Sequence, residues 1–130
     1  MARGVYTVSS GGVTLANHAV TLVFINPSST VGIEILRCWI GQSANATSAQ
    51  QRVQLVTQVT AFPTLVSATP QKTSLLDQVS GIVGGTAGAA GTSGINASAE
   101  GAGAKTIRVE DTFNVLNGWL WLPTEAERLM

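Results

Sequence analysis

The chain has 130 residues, 45% of them hydrophobic, with seven Lys and Arg balanced by seven Asp and Glu. That length supports a real core in one domain, and a charged fraction of 11% lies well below the roughly 25% of ordinary soluble domains. Such a composition excludes a phosphate-following basic surface, since Arg3, Arg37, Arg52, Lys72, Lys105, Arg108 and Arg128 are scattered, and it favours a protomer that buries surface against partners.

No run of 18 apolar residues occurs, so no transmembrane helix is expected. The opening MARGVYTVSSGG lacks the long apolar stretch of a signal peptide, and the expectation is a chain made and used without secretion. Cys38 is the sole cysteine, which removes any intrachain disulfide.

In chain order, Gly4–Ser9 reads as a short strand and Gly11-Gly12 as a turn. In AVTLVFI, Val20, Leu22 and Phe24 share one parity, and Val23 and Ile25 make the other face apolar too. This strand is expected to be covered on both sides, and Asn26-Pro27-Ser28 ends it. In VGIEILRCWIG, Val31, Ile33 and Ile35 share a face opposite Glu34. The apolar parity then passes to Leu36, Cys38 and Ile40 while Trp39 keeps the first, a switch that predicts a bulge or a crossing between sheets.

Residues 41–51 form a polar loop. RVQLVTQVT alternates, with Val53, Leu55 and Val59 inward, Arg52, Gln54 and Gln58 outward, and only Val56 out of pattern. Ala61–Lys72, with Pro63 and Pro70, reads as a loop or irregular edge. Ser74–Val83 is the only stretch with helical spacing (Leu75, Val79, Ile82), although Gly81 weakens its end and the span is short.

Residues 81–104, GIVGGTAGAAGTSGINASAEGAGA, hold eight Gly, seven Ala and four Ser or Thr among 24 residues. Ordering them costs about 24–48 kcal/mol of backbone entropy, whereas burying Ile82, Val83 and Ile95 returns only about 5–9 kcal/mol. The segment is therefore expected to be an extended or flexible arm. If ordered, it is held by backbone hydrogen bonds along another surface, where Gly and Ala permit close approach.

TIRVEDTFNV alternates again, placing Ile107, Val109, Phe113 and Val115 inward. Asp111 falls on the same parity and needs a partner, a bulge or the end of the sheet. Asn117-Gly118 is a tight turn. WLWLP sets Trp119 and Trp121 on one face and Leu120 and Leu122 on the other. Pro123 then opens a small helix carrying Glu125 and Glu127, or an extended tail. Six or seven strands between turn signals predict an all-β chain over residues 1–130, a jelly-roll-like β-sandwich or barrel bearing the Gly/Ala-rich arm.

Little of this carries chemistry. His18 has no partners at a recognisable spacing, and Cys38 sits in an apolar strand, where a thiol behaves as a small hydrophobe. The glycines lack both Gly-Lys-Ser/Thr and G-x-G-x-x-G, so they do not form a phosphate loop. Glu110 and Asp111 point to opposite faces. Oxygen ligation of a hard cation by Asp111 is conceivable but not expected. Asn45-Ala-Thr47 and Asn96-Ala-Ser98 match the glycosylation triplet only as chance occurrences. The expectation is no enzyme, no metal and no cofactor.

The expected contact residues are Ile82, Val83 and Ile95 on the arm, with Trp119 and Trp121. The two indoles either stack on a sugar or pack in the core or a subunit interface. Packing is favoured because the alternating leucines also need cover.

RGVYTVS, RVQLVT and DTFNVLNGWLWLPTEAER together resemble small virion proteins of tailed bacteriophages. The resemblance implies a compact β domain of the capsid decoration, or cement, type. Such a protein is made in the host cytoplasm and seated on the virion as a homo-oligomer, with a trimer favoured. Its partner would be the major capsid protein, with no direct nucleic-acid or membrane contact. A carbohydrate-binding or tail/fibre-associated β module is the alternative.

Overall fold

A computed structural model describes residues 4–13, 21–30, 32–43, 46–60, 62–86 and 88–130. The chain is all-β. Its strands are β1 (Tyr6–Thr7), β2 (Thr21–Asn26), β3 (Cys38–Ile40), β4 (Gln50–Gln58), β5 (Val66–Ser67), β6 (Gln71–Lys72), β7 (Val83–Gly84), β8 (Thr92–Ala97), β9 (Lys105–Asn114) and β10 (Trp119–Trp121). They fall into two compact units, one of residues 1–32 and 59–104, the other of 33–58 and 105–130.

The first unit is organised around β8, the middle of the Gly/Ala-rich segment. One edge of β8 pairs antiparallel with β2, from Thr21↔Ala97 to Asn26↔Thr92. The other edge takes β5 (Val66↔Ile95) antiparallel and β7 (Val83↔Thr92) parallel. The segment expected to be an extended or flexible arm is thus extended over β8, and the surface that holds it belongs to its own chain.

Small side chains make this possible. Ser93 and Ala97 are almost wholly buried, and the Ser93 hydroxyl donates to the Ala68 carbonyl. A Cβ on Gly94 would come within 2.7 Å of the Leu65 Cβ and 3.0 Å of the Val66 carbonyl oxygen. Phe24 and Phe62 add a tilted aromatic pair with centroids 5.2 Å apart. β1 and β6 form a separate two-stranded pair.

The expected helix over Ser74–Val83 is not formed. The chain turns instead, with the Asp77 amide donating to the Ser74 carbonyl at 3.2 Å and the Leu76 amide to the Ser74 hydroxyl at 3.2 Å. The Lys72 ammonium donates to the carbonyls of Leu75 and Asp77, and Val83 is drawn into pairing with β8. Helical spacing stabilises a helix only when its apolar stripe is buried, and Leu75 and Val79 are exposed here.

The second unit holds two antiparallel pairs. β4 and β9 are joined by nine residue pairs, with a register shift between Leu55 and Val56 that leaves Arg108 without an opposite residue. This shift accounts for Val56 being out of pattern, and it overturns two inward assignments: Ile107 and Val59 are exposed. β3 pairs with β10, Trp119 facing Ile40, Leu120 facing Trp39 and Trp121 facing Cys38.

The parity switch expected before β3 falls between two separate pairings. Ile35 bridges to Leu129, and β3 begins only at Cys38. Leu36, expected inward, lies exposed in that gap. The Glu34 carboxylate meets the Arg128 guanidinium at 3.1 Å beside the Ile35–Leu129 bridge. Gly118, at φ +71°, closes the turn before β10, where a Cβ would lie 2.8 Å from the Ile40 carbonyl oxygen.

Asp111 has the partner its position demands. Its Oδ2 accepts from the indole N–H of buried Trp119 at 3.0 Å, and its Oδ1 accepts from the Thr112 amide at 2.8 Å. Replacing Asp111 by Ala leaves that indole N–H without its acceptor. The expected loss is about 1–3 kcal/mol in urea unfolding, and Asp111→Asn, which keeps an acceptor oxygen, should lose much less.

After Pro123 the chain makes one 3-10 turn, Glu125–Glu127. The Glu127 carboxylate accepts from the Thr124 hydroxyl at 2.7 Å and the Thr124 amide at 3.2 Å. These bonds, the hydroxyl's first, hold its pKa below the ordinary glutamate value. A depressed folded pKa means that the capping contribution is present above the unfolded pKa and is lost as pH falls through the folded one. A carbon-detected NMR titration should place the Glu127 midpoint below that of a free glutamate, and Thr124→Val should return it toward that value.

Candidate functional site

The candidate residues do not converge on a chemical centre. His18 and Asn45 lie outside the described residues. Cys38 is half-buried, and burial pushes its thiol pKa above the ordinary value, so it stays protonated at neutral pH and is a poor nucleophile. Glu110 accepts from the Gln54 amide and Asp111 is held by Trp119, so the two adjacent carboxylates serve different neighbours. Asn96 lies within β8 at φ +61°.

Among the described residues, no three His, Cys, Asp or Glu side chains lie together as metal ligands would. Two open depressions are present. The larger, about 460 Å³, lies at the β3–β10 end of the second unit and is lined by Trp39, Gln42, Leu116 and Leu120 among others. The smaller, about 330 Å³, lies in the first unit between Phe62, Leu65 and Thr86. Neither is lined by an ionisable side chain, so neither offers a general acid or base.

The structure concentrates unburied apolar side chains in two places. In the first unit, the turn after β6 carries Leu75, 91% exposed, and Leu76, 96% exposed, with Val79 close behind in sequence. In the second, the outward face of the β3–β10 pair carries Trp39, 58% exposed, directly opposite Leu120, 61% exposed, with Leu122 beyond at 68%. The Arg37 guanidinium lies 5.2 Å from the Trp39 ring centroid, a cation–π contact that leaves the patch with a positive rim. Single exposed hydrophobes are ordinary, but clustered ones of this size mark interaction surfaces.

The residues expected to make contacts divide between the units. Ile95 pairs within β8, Val83 pairs with Thr92 and is half exposed, and Ile82 is half-buried beside it. Trp119 is only 9% exposed and Trp121 is half-buried. The two indoles therefore pack on the inner side of β10, and stacking a sugar across both is not open to them. The opposite face is the free one.

Leu75 and Leu76 were hidden by the helical spacing of their neighbours. Trp39 carried a legible signal, because it alone kept its parity when the apolar pattern around it changed. No protein-family model matches the chain, and no curated protein or solved structure matches it significantly.

Proposed function

We propose that the chain is a non-enzymatic structural protein of a phage virion, a decoration or cement protein that binds the assembled capsid as a homo-oligomer. The observation that carries this is the placement of its large apolar side chains. Among the described residues the buried hydrophobic core comprises only Ala97, Val115 and Trp119, while Leu75, Leu76, Trp39, Leu120 and Leu122 stand open. A chain that leaves such groups in water gains most by placing them against another protein surface.

The resemblance of DTFNVLNGWLWLPTEAER and RGVYTVS to small virion proteins supplies the kind of surface: the major capsid protein, with copies grouped as a trimer on the shell's exterior after synthesis in the host cytoplasm. The absence of ionisable groups from both depressions supports a role in binding rather than turnover. Stabilisation follows from mass action, since a protein that binds only the assembled lattice favours that lattice.

The test mixes purified protein with expanded capsids that lack it. Co-sedimentation with the shells and a higher temperature of DNA release are expected. Free protein in the supernatant with unchanged heat resistance would contradict the proposal.

A further inference from the structure

The longest paired element of the chain is a ribbon of two strands. β4 and β9 share nine residue pairs, and among the described residues neither outer edge is taken by a further strand. Two strands alone are marginal in water, and a third strand or a covered face is what makes them persist. A free edge of this length is also a template for another strand.

The charges along β9 say which strand fits. Lys105 and Arg108 occupy its first half, Glu110 and Asp111 its second. Set antiparallel to itself about Val109, the strand brings Arg108 opposite Glu110 of a second copy, twice, with Thr106 opposite Thr112 and Val109 opposite Val109. A parallel alignment in register would set like charges side by side, which is unfavourable.

The groups have capacity to spare. Arg108 stands at the register shift with no opposite residue on β4, and its Nε donates to Thr57. Glu110 accepts from Gln54. Asp111, which would lie opposite Ile107, is already held by Trp119. Ile107 and its cross-strand neighbour Val56 are exposed on the ribbon, and a continued sheet would extend the apolar surface beside them.

We infer that β9 pairs with β9 of a second copy across a twofold axis, giving a four-stranded antiparallel sheet in the order β4–β9–β9–β4. This contact rests on the proposal that the protein works as an assembly of copies, but not on the identity of the shell. It is isologous and additional to a trimeric contact; a surface lattice uses both kinds of axis.

Directly opposed Cα atoms in antiparallel strands lie within disulfide reach. In a Cys38→Ser background, Val109→Cys should therefore form covalent dimers under mild oxidation. Thr106→Cys and Thr112→Cys should each fail alone, because each lies six residues from its own copy, about 20 Å. Mixed together, those two should link.

Adding Arg108→Glu to the Val109→Cys protein should abolish linking, and adding Glu110→Arg as well should restore it. Linking of Val109→Cys no faster than that of Thr112→Cys alone overturns the inference, as does failure of the double charge swap to restore it. Should Val109→Cys not fold, the mixed Thr106→Cys and Thr112→Cys pair decides in the same way. Shell binding of the same proteins is read separately: linking lost with binding retained refutes the edge contact alone, and linking retained with binding lost refutes the capsid reading alone.

Discussion

Leu75→Ser combined with Leu76→Ser should weaken binding to capsid shells by about two to four orders of magnitude, and should leave the urea midpoint of the isolated protein unchanged. The argument is one of location. At 91% and 96% exposure, the two side chains have little contact to lose within their own chain, so their truncation costs the fold almost nothing. If both are buried in a complex, each contributes about 1.5–3 kcal/mol, and every 1.4 kcal/mol is about tenfold in affinity. Equilibrium binding of labelled protein to shells, set beside urea unfolding of the same variant, separates the two effects. Unaltered binding would remove this turn from the contact surface.

Gly94→Val should have the largest effect on stability, about 3 kcal/mol or more, seen as a fall in the urea midpoint followed by circular dichroism. Gly94 is buried in β8, between Phe24 of β2 and Ser67 of β5. A first carbon there already meets Leu65 at 2.7 Å and a main-chain carbonyl at 3.0 Å, and valine adds two more carbons. Neither neighbour is the free end of a long side chain, so the sheet itself must part. A fall no larger than an exposed substitution produces would mean that the Gly/Ala-rich segment does not occupy the centre of this sheet.

These two predictions show where the sequence was legible and where it was not. Period-two alternation over Lys105–Asn114, the Asn117-Gly118 turn and the split faces of Trp119–Leu122 all appear in the fold as expected, because local pattern and tertiary pairing agree there. The Gly/Ala-rich segment was harder. Composition correctly implied that it needs another surface, but nothing in it says that the surface is β2 and β5 of the same chain; that is a non-local pairing.

The two-residue strands β5, β6 and β7 are too short to carry a period. The helical spacing of Leu75, Val79 and Ile82 misled because spacing reports a face without reporting whether anything covers it. The candidate surface was legible only in part, in the unbroken parity of Trp39 and in leucines 120 and 122 set opposite the tryptophans. Which of those two faces lies inward is decided by the Trp119–Asp111 bond and by burial of the Trp119 indole.

The central claim is that these open apolar side chains belong to interfaces, some of them between copies of the chain. Sedimentation equilibrium of the purified protein over a wide concentration range tests it most directly. The account predicts a mass that is a multiple of 13.4 kDa, falling toward the protomer only on dilution. A mass of one protomer at every concentration would contradict it.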